Sequence, residues 1–358
     1  MRREAEGPTV HNVQPAPPFT HLTALGWDAD WAAQARLASG GEPARVTRVD
    51  RGLFTVLTCT GPTRVTLGGE ALAAVARAPS EAPCTGDWVM LRLWPDARTT
   101  IETVLPRRTA VIRAEASRRS HGQVLAANMS IVGVVVALDQ VPALTKVERL
   151  LALAWDSGAK PVVLLTKADL ATDAADVVAD VERCAAEVPV LACSTVTGSG
   201  LTEVRGLLGS HGTLALLGAS GAGKSALVNT MVGAPVLTTR SIREDGRGRH
   251  TSVSRQLVVL PGGGCVIDTP GLRGVGVFDV DGGLTSTFGD VSEAAERCQF
   301  GDCQHETEPG CAVLADVDSG QLAARRLESW RKLRREQAWM AARRDARALA
   351  ARRAPKRR

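Results

Sequence analysis

Three short motifs lie along this 358-residue chain in an order that limits its topology more than any other feature. Thr166-Lys167-Ala168-Asp169 comes first and has the form of a guanine-reading motif. Gly218-Ala219-Ser220-Gly221-Ala222-Gly223-Lys224-Ser225 comes second and has the form of a phosphate-cradling P-loop. Asp268-Thr269-Pro270-Gly271 comes third, as the segment that meets Mg²⁺ and a γ-phosphate. In an ordinary GTPase the guanine motif is last, whereas here it precedes the P-loop by about fifty residues. The chain therefore reads as a circularly permuted P-loop α/β GTPase domain, with its γ-phosphate segment directly upstream of whatever follows the domain.

Each motif has a chemical reason for its residues. Glycines let the backbone N–H groups of residues 218–223 turn inward around phosphate oxygens, Lys224 brings a cation to the β and γ oxygens, and Ser225 can ligate Mg²⁺, with Ala226 continuing the helix. The P-loop follows an apolar run at 213–217 and opens a helical stretch from 224, the context its mechanism needs. Asp268 follows a second apolar run and can hold Mg²⁺ through water, while the N–H of Gly271 can reach the γ-phosphate. Asp169 can accept hydrogen bonds from the ring N–H and 2-amino group of guanine, a donor pair adenine lacks. Thr166 and Lys167 complete that motif, and Ser194 (with Thr195) ends the next strand, where it can support the base. Nothing in the sequence suggests an ABC-type signature.

The rest of the chain fits around this domain. At 44% hydrophobic and 23% charged, with no apolar run of the roughly 18–20 residues a membrane span needs, the composition is that of a soluble, cytoplasmic multi-domain protein. The first ten residues (MRREAEGPTV) contain no apolar signal region and are expected to be a leader. Short β-like runs at 44–50, 53–58, 64–67, 87–93 and 100–105, separated by Gly/Pro/Asp turns, predict an N-terminal OB-like β-barrel, although five strands also fit an SH3-like barrel. From about 124, strand-like runs at 131–138, 161–165, 188–193, 213–217, 256–260 and 264–267 alternate with helical stretches near 143–157, 173–187, 200–208 and 224–232. That alternation predicts a doubly wound sheet. The predicted division is a leader and short helix over 1–40, the barrel over 41–121, the permuted GTPase domain over 122–280, a metal-binding domain over 281–330 and a basic helical tail over 331–358.

Of the eight cysteines, Cys59, Cys84, Cys184, Cys193 and Cys265 lie among apolar neighbours and read as buried free thiols. Cys298, Cys303 and Cys311 differ. With His305 they place three thiolates and an imidazole within fourteen residues, a closed tetrahedral set that suits one structural Zn²⁺ and leaves no position for substrate. Residues 321–358 hold fourteen Lys/Arg against three Asp/Glu, a local balance of +11 in a chain of net +5, which points to a polyanionic partner. Trp330 and Trp339 within this stretch are expected on roughly one helix face.

The motif order, the preceding barrel and the following Cys/His cluster together resemble the RsgA family of circularly permuted GTPases, over most of residues 45–330. Gly248-Arg249-His250-Thr251 adds to the likeness. The resemblance implies GTP hydrolysis stimulated by the small (30S) ribosomal subunit during its late maturation, contact with 16S rRNA, a zinc domain at Cys298, Cys303, His305 and Cys311, and a cytoplasmic monomer free of membrane. It also implies that His250 orients the attacking water. The residues point the same way: Leu272, where Ras-type enzymes carry their water-orienting Gln, cannot hydrogen-bond. Two positions depart from the common pattern. Thr166 stands where GTPases usually have Asn, and Thr251-Ser252-Val253 replaces a more Thr-rich run, so Thr251 is the candidate switch ligand to Mg²⁺ beside Ser225 and Asp268. A nucleotide-dependent docking switch with incidental hydrolysis remains the alternative from a different class.

Overall fold

The structure, a computed structural model, describes residues 22–38, 40–113, 123–171, 174–185, 187–237, 255–269 and 281–353. The expected leader, His250, Thr251, Gly271 and Leu272 lie outside the described residues.

A 3₁₀ turn at Leu22–Leu25 and helix α1 (Ala29–Leu37) lead into five strands, β1 (Glu42–Asp50), β2 (Leu53–Thr58), β3 (Gly61–Leu67), β4 (Trp88–Leu93) and β5 (Thr99–Val104). Asp28 caps α1 by accepting the Trp31 N–H at 2.9 Å. β1 pairs with β2, β2 with β3, β3 in parallel with β5, β5 with β4, and β4 back onto β1. This closed 1-2-3-5-4 order, with helix α2 (Gly69–Arg77) between β3 and β4, is the OB arrangement, and it resolves the barrel type that strand counting left open. Its interior is filled by Ala44, Val46, Val56, Val65, Val89 and Ile101. The α2 helix and a hairpin of β6 (Ala110–Arg113) and β7 (Gln123–Ala127) were not apparent in the hydrophobic pattern.

The second unit is a sheet of β8 (Ile131–Ala137), β9 (Lys160–Thr166), β10 (Val190–Ala192), β11 (Thr213–Gly218), β12 (Gln256–Val259) and β13 (Cys265–Asp268), in the order β10-β9-β8-β11-β13-β12. All neighbours are parallel except β12 and β13. Along β11, Ala215 and Leu217 pack on one face with α3 (Leu144–Asp156) and α4 (Ala174–Cys184). Leu214 and Leu216 pack on the other with α5 (Leu201–Gly206) and α6 (Lys224–Val232). Burial on both faces is why this strand is an unbroken apolar run.

The barrel is not a free appendage. β1 pairs with β12 through Arg48 and Gln256, joining barrel and sheet into one eleven-stranded ladder. Arg45 of β1 is buried across the junction, donating to Gly86 O at 3.3 Å, to Asn128 O at 2.8 Å and to Leu25 O, with its guanidinium over Trp88.

The third unit holds α7 (Asp281–Thr287), α8 (Gly289–Ala295), α9 (Ala312–Asp318) and the long α10 (Ala324–Arg353), around Phe288, Val291, Val313, Leu327 and Leu333. α7 lies directly on α3: a Cβ on Gly283 would stand 2.1 Å from Ala152 O, so only glycine permits this approach. Two expectations are corrected. Trp330 is 9% exposed and Trp339 56% exposed, because nine residues at about 100° each turn a side chain to the opposite face of the helix. Cys59 is exposed, with its thiol donating to Glu42 at 3.4 Å on the barrel surface, whereas Cys84, Cys184, Cys193 and Cys265 are buried.

Candidate nucleotide and metal sites

The guanine motif ends β9, the P-loop ends β11 and Asp268 ends β13, so the fold brings all three motifs to the carboxyl edge of one parallel sheet. That edge, where strand order reverses between β8 and β11, is where doubly wound sheets bind ligands. In the P-loop, Gly221 and Gly223 adopt φ of +83° and +88°, which L side chains rarely take, and they turn the loop into the first residue of α6. Ala219 and Ser220 are exposed at its outer turn and Ala222 is buried beneath it. Ala226 sits in the first turn of α6. The Lys224 ammonium donates to Gly218 O and Ala219 O, both at 2.8 Å, so it is held inside the loop it would share with phosphate. Burial lowers its pKa and the charge of Asp268 opposes that shift.

Ser225 Oγ donates to Asp268 Oδ2 at 2.7 Å, while Asp268 Oδ1 is buried with no hydrogen-bond partner among the described residues. Burial raises the Asp268 pKa, which a bound cation would reverse. An orphaned carboxylate oxygen beside a hydroxyl, at the foot of the P-loop, fits a hard divalent ion.

At the base end, Ser194 Oγ donates to Asp169 Oδ1 at 2.5 Å and accepts the N–H groups of Val196 and Thr197, both at 3.1 Å. Ser194 thus orients the exposed Asp169 carboxylate from a buried position. Lys167 stands at φ +58° and its ammonium pairs with Asp139 at 2.5 Å. Asp139 was missed by motif reading, and its only sequence signal is an acid following the apolar run of β8. The Thr166 hydroxyl points inward, donating to Ala222 O of the P-loop at 2.6 Å.

The third site lies in the C-terminal unit. The ligand atoms of Cys298, Cys303, His305 and Cys311 all lie within 4.8 Å of one another. The separations are 3.9 Å for Cys298 Sγ to Cys311 Sγ, and 3.6 and 3.5 Å from those sulfurs to His305 Nδ1. Bonds of about 2.3 Å to sulfur and 2.0–2.1 Å to nitrogen give tetrahedral edges of about 3.5–3.8 Å, so these three donors are spaced for one ion of zinc-like size, with the Cys303 thiol within 4.8 Å of them. Glu308 fixes the intervening loop by accepting the N–H groups of Gln304, Glu306 and Thr307. Those amides, Gln304's foremost, hold its carboxyl at a pKa of about 2. His305, in left-handed conformation, packs against Trp330 with ring centroids 5.3 Å apart and the planes tilted by 52°.

Motif reading also missed a buried ionic node that fastens this unit to the sheet. Glu148 of α3 accepts from Arg325 and Arg326 of α10, both at 3.0 Å, and from Ser329. Arg326 also donates to Asp290 at 2.8 Å, to Thr287 O at 2.6 Å and to Cys184 O at 3.1 Å.

These features define a circularly permuted P-loop GTPase with an OB barrel ahead of the nucleotide domain and a metal-compatible Cys₃His cluster behind it. A family model described as RsgA GTPase matches residues 104–278. The chain is 50% identical over 318 residues to the Small ribosomal subunit biogenesis GTPase RsgA of Streptomyces coelicolor, covering 87% of this chain and 85% of that protein. It is 41% identical to RsgA 2 of Lactiplantibacillus plantarum, over 85% and 86% of the two chains. The crystal structure of YjeQ from Thermotoga maritima superposes with a TM-score of 0.60 at 25% identity, covering 82% of this chain and 96% of that one. The chain belongs to the RsgA family of GTPases.

Proposed function

We propose that this GTPase binds the small ribosomal subunit, assists its late maturation and hydrolyses GTP faster when bound to it. The observation that carries the reading is the convergence of Asp169, Lys224, Ser225 and Asp268 on one sheet edge, in a chain half identical to a ribosomal subunit biogenesis GTPase over most of its length. Asp169, oriented by Ser194, reads guanine, with Lys167 beside it. Residues Gly218 to Lys224 cradle the phosphates, with the N–H of Gly271 on the γ-phosphate. Mg²⁺ held by Ser225, Asp268 and Thr251 offsets phosphate charge when bound. His250 orients the attacking water. The cluster at Cys298, Cys303, His305 and Cys311 holds one structural Zn²⁺. The barrel and the basic end of α10 meet 16S rRNA through backbone phosphates. We place the protein in the cytoplasm as a monomer, with unit boundaries near 121, between β6 and β7, and near 280, between β13 and α7. No described helix is long and apolar enough to cross a membrane.

GTP turnover measured with and without purified 30S subunits tests the proposal. Stimulation is expected, and His250→Ala should lower stimulated kcat while leaving nucleotide affinity nearly intact. A wild-type rate unmoved by subunits would favour a docking switch with incidental hydrolysis. Guanine selectivity has its own test. Asp169→Asn should weaken GTP by about 1.5–3 kcal/mol, the worth of a hydrogen bond to a charged group, and should weaken xanthosine triphosphate far less. Equal wild-type affinity for ATP and GTP would overturn the base assignment.

A further inference from the structure

Thr166 occupies the position where GTPases usually carry asparagine, and its surroundings show what the shorter side chain does instead. The residue is 2% exposed at the end of β9. Its Oγ1 lies 2.6 Å from Ala222 O in the P-loop and 3.4 Å from Val136 O in β8. A hydroxyl has one proton to donate, and the shorter contact takes it. The side chain also lies close against the loop: a Cβ on Gly223 would stand 3.3 Å from the same oxygen. The main chain is tied as well, since Leu138 N–H donates to Thr166 O at 2.9 Å and Ala168 N–H to Cys193 O at 3.2 Å. Asp169, three residues on, is by contrast exposed.

We infer that Thr166 is a positioning residue that struts the base-reading loop against the phosphate loop, and that guanine is read without a hydrogen bond from Thr166 to its N7. The inference rests on the guanine-nucleotide reading proposed above. Guanine presents N1–H and a 2-amino group as donors and O6 and N7 as acceptors. The exposed Asp169 carboxylate serves the donors. An asparagine amide has two protons, enough to hold the P-loop and reach an acceptor on the base, whereas the threonine proton is already committed to Ala222 O. The strut fixes the distance between the two halves of the site, so a nucleotide meets base-reading and phosphate-binding groups already in register.

The test is a cycle of GDP and 7-deaza-GDP, in which N7 is replaced by C–H, against wild type, Thr166→Val and Thr166→Ser. Thr166→Val keeps the side-chain shape, removes the hydroxyl and leaves Ala222 O unpaired. It should weaken both ligands equally, by roughly five- to tenfold. Thr166→Ser keeps the donor and should restore binding of both to within about twofold of wild type. The ratio of the two dissociation constants should be the same in all three proteins. A ratio that changes more than about threefold between wild type and Thr166→Val would mean that the hydroxyl reads N7 and would overturn the inference. So would a Thr166→Val protein that binds GDP as tightly as wild type. If Thr166→Val does not fold, the ratio in Thr166→Ala, which also lacks the hydroxyl, decides by the same criterion. Wild type binding ADP as tightly as GDP would instead overturn the guanine reading itself.

Discussion

Removing the proposed Zn²⁺ from the Cys298, Cys303, His305 and Cys311 cluster should unfold most of the C-terminal unit while leaving the parallel sheet intact. Between the end of α8 at Ala295 and the start of α9 at Ala312 the chain has no helix or strand. Its shape there depends on the four clustered Cys and His side chains, on Glu308, and on the packing of Cys303, Cys311 and Trp330 into a small apolar cluster. A core of this size supplies little stability by itself, whereas structural Zn²⁺ contributes about 10–16 kcal/mol of binding free energy in isolated finger peptides. Cys303→Ser should therefore reduce metal content from one ion per chain. It should also collapse hydrogen-exchange protection in α8 and α9, with β8 and β11 still protected. Full metal retention in that variant would show that the cluster does not bind as a set of four.

Replacing Glu148 by alanine should cost about 3–5 kcal/mol, because it strands the Arg326 cation in the interior with part of its compensation gone. Glu148 is 0% exposed and Arg326 2%, and the Arg326 guanidinium bonds to α3, α4, α7 and α8 at once. Glu148→Gln, which keeps shape and an acceptor, should cost less. Arg149→Ala removes a partly exposed pair with Glu336 at 2.6 Å and should cost under about 1 kcal/mol. Replacing Glu148 and Arg326 together by apolar residues of similar volume should recover much of the loss, since neither charge is then left alone. Urea midpoints for the four variants check the ranking. A Glu148→Ala protein as stable as Arg149→Ala would show that the node does not hold the units together.

The node changes how the nucleotide domain and the C-terminal unit are connected. The chain runs from Gly271 to Cys298 in under thirty residues, which is one covalent route between them. The folded molecule adds a second attachment on α3, the helix between β8 and β9. The barrel is fastened to the same sheet separately, through β1 and β12. A β-strand edge and a buried ion pair are three-dimensional contacts between segments up to about two hundred residues apart, and no local pattern records them.

What the sequence by itself determined was whatever depends on spacing within a few residues. The P-loop, the Asp268 segment and the Asp169 motif have their chemistry written in consecutive positions, and the strands of the parallel sheet are apolar runs because both faces are covered. The Cys/His cluster is likewise local. Only the tertiary structure decided the rest. It closed β4 on β1 and so made the barrel an OB barrel, and it turned Trp339 to solvent while Trp330 packed under His305. It paired Asp139 with Lys167 and set the Thr166 hydroxyl on the carbonyl of Ala222 in the P-loop. The physical reason is common to these cases. A side chain's partner depends on where distant segments are packed, and burial then forces each polar group to find one.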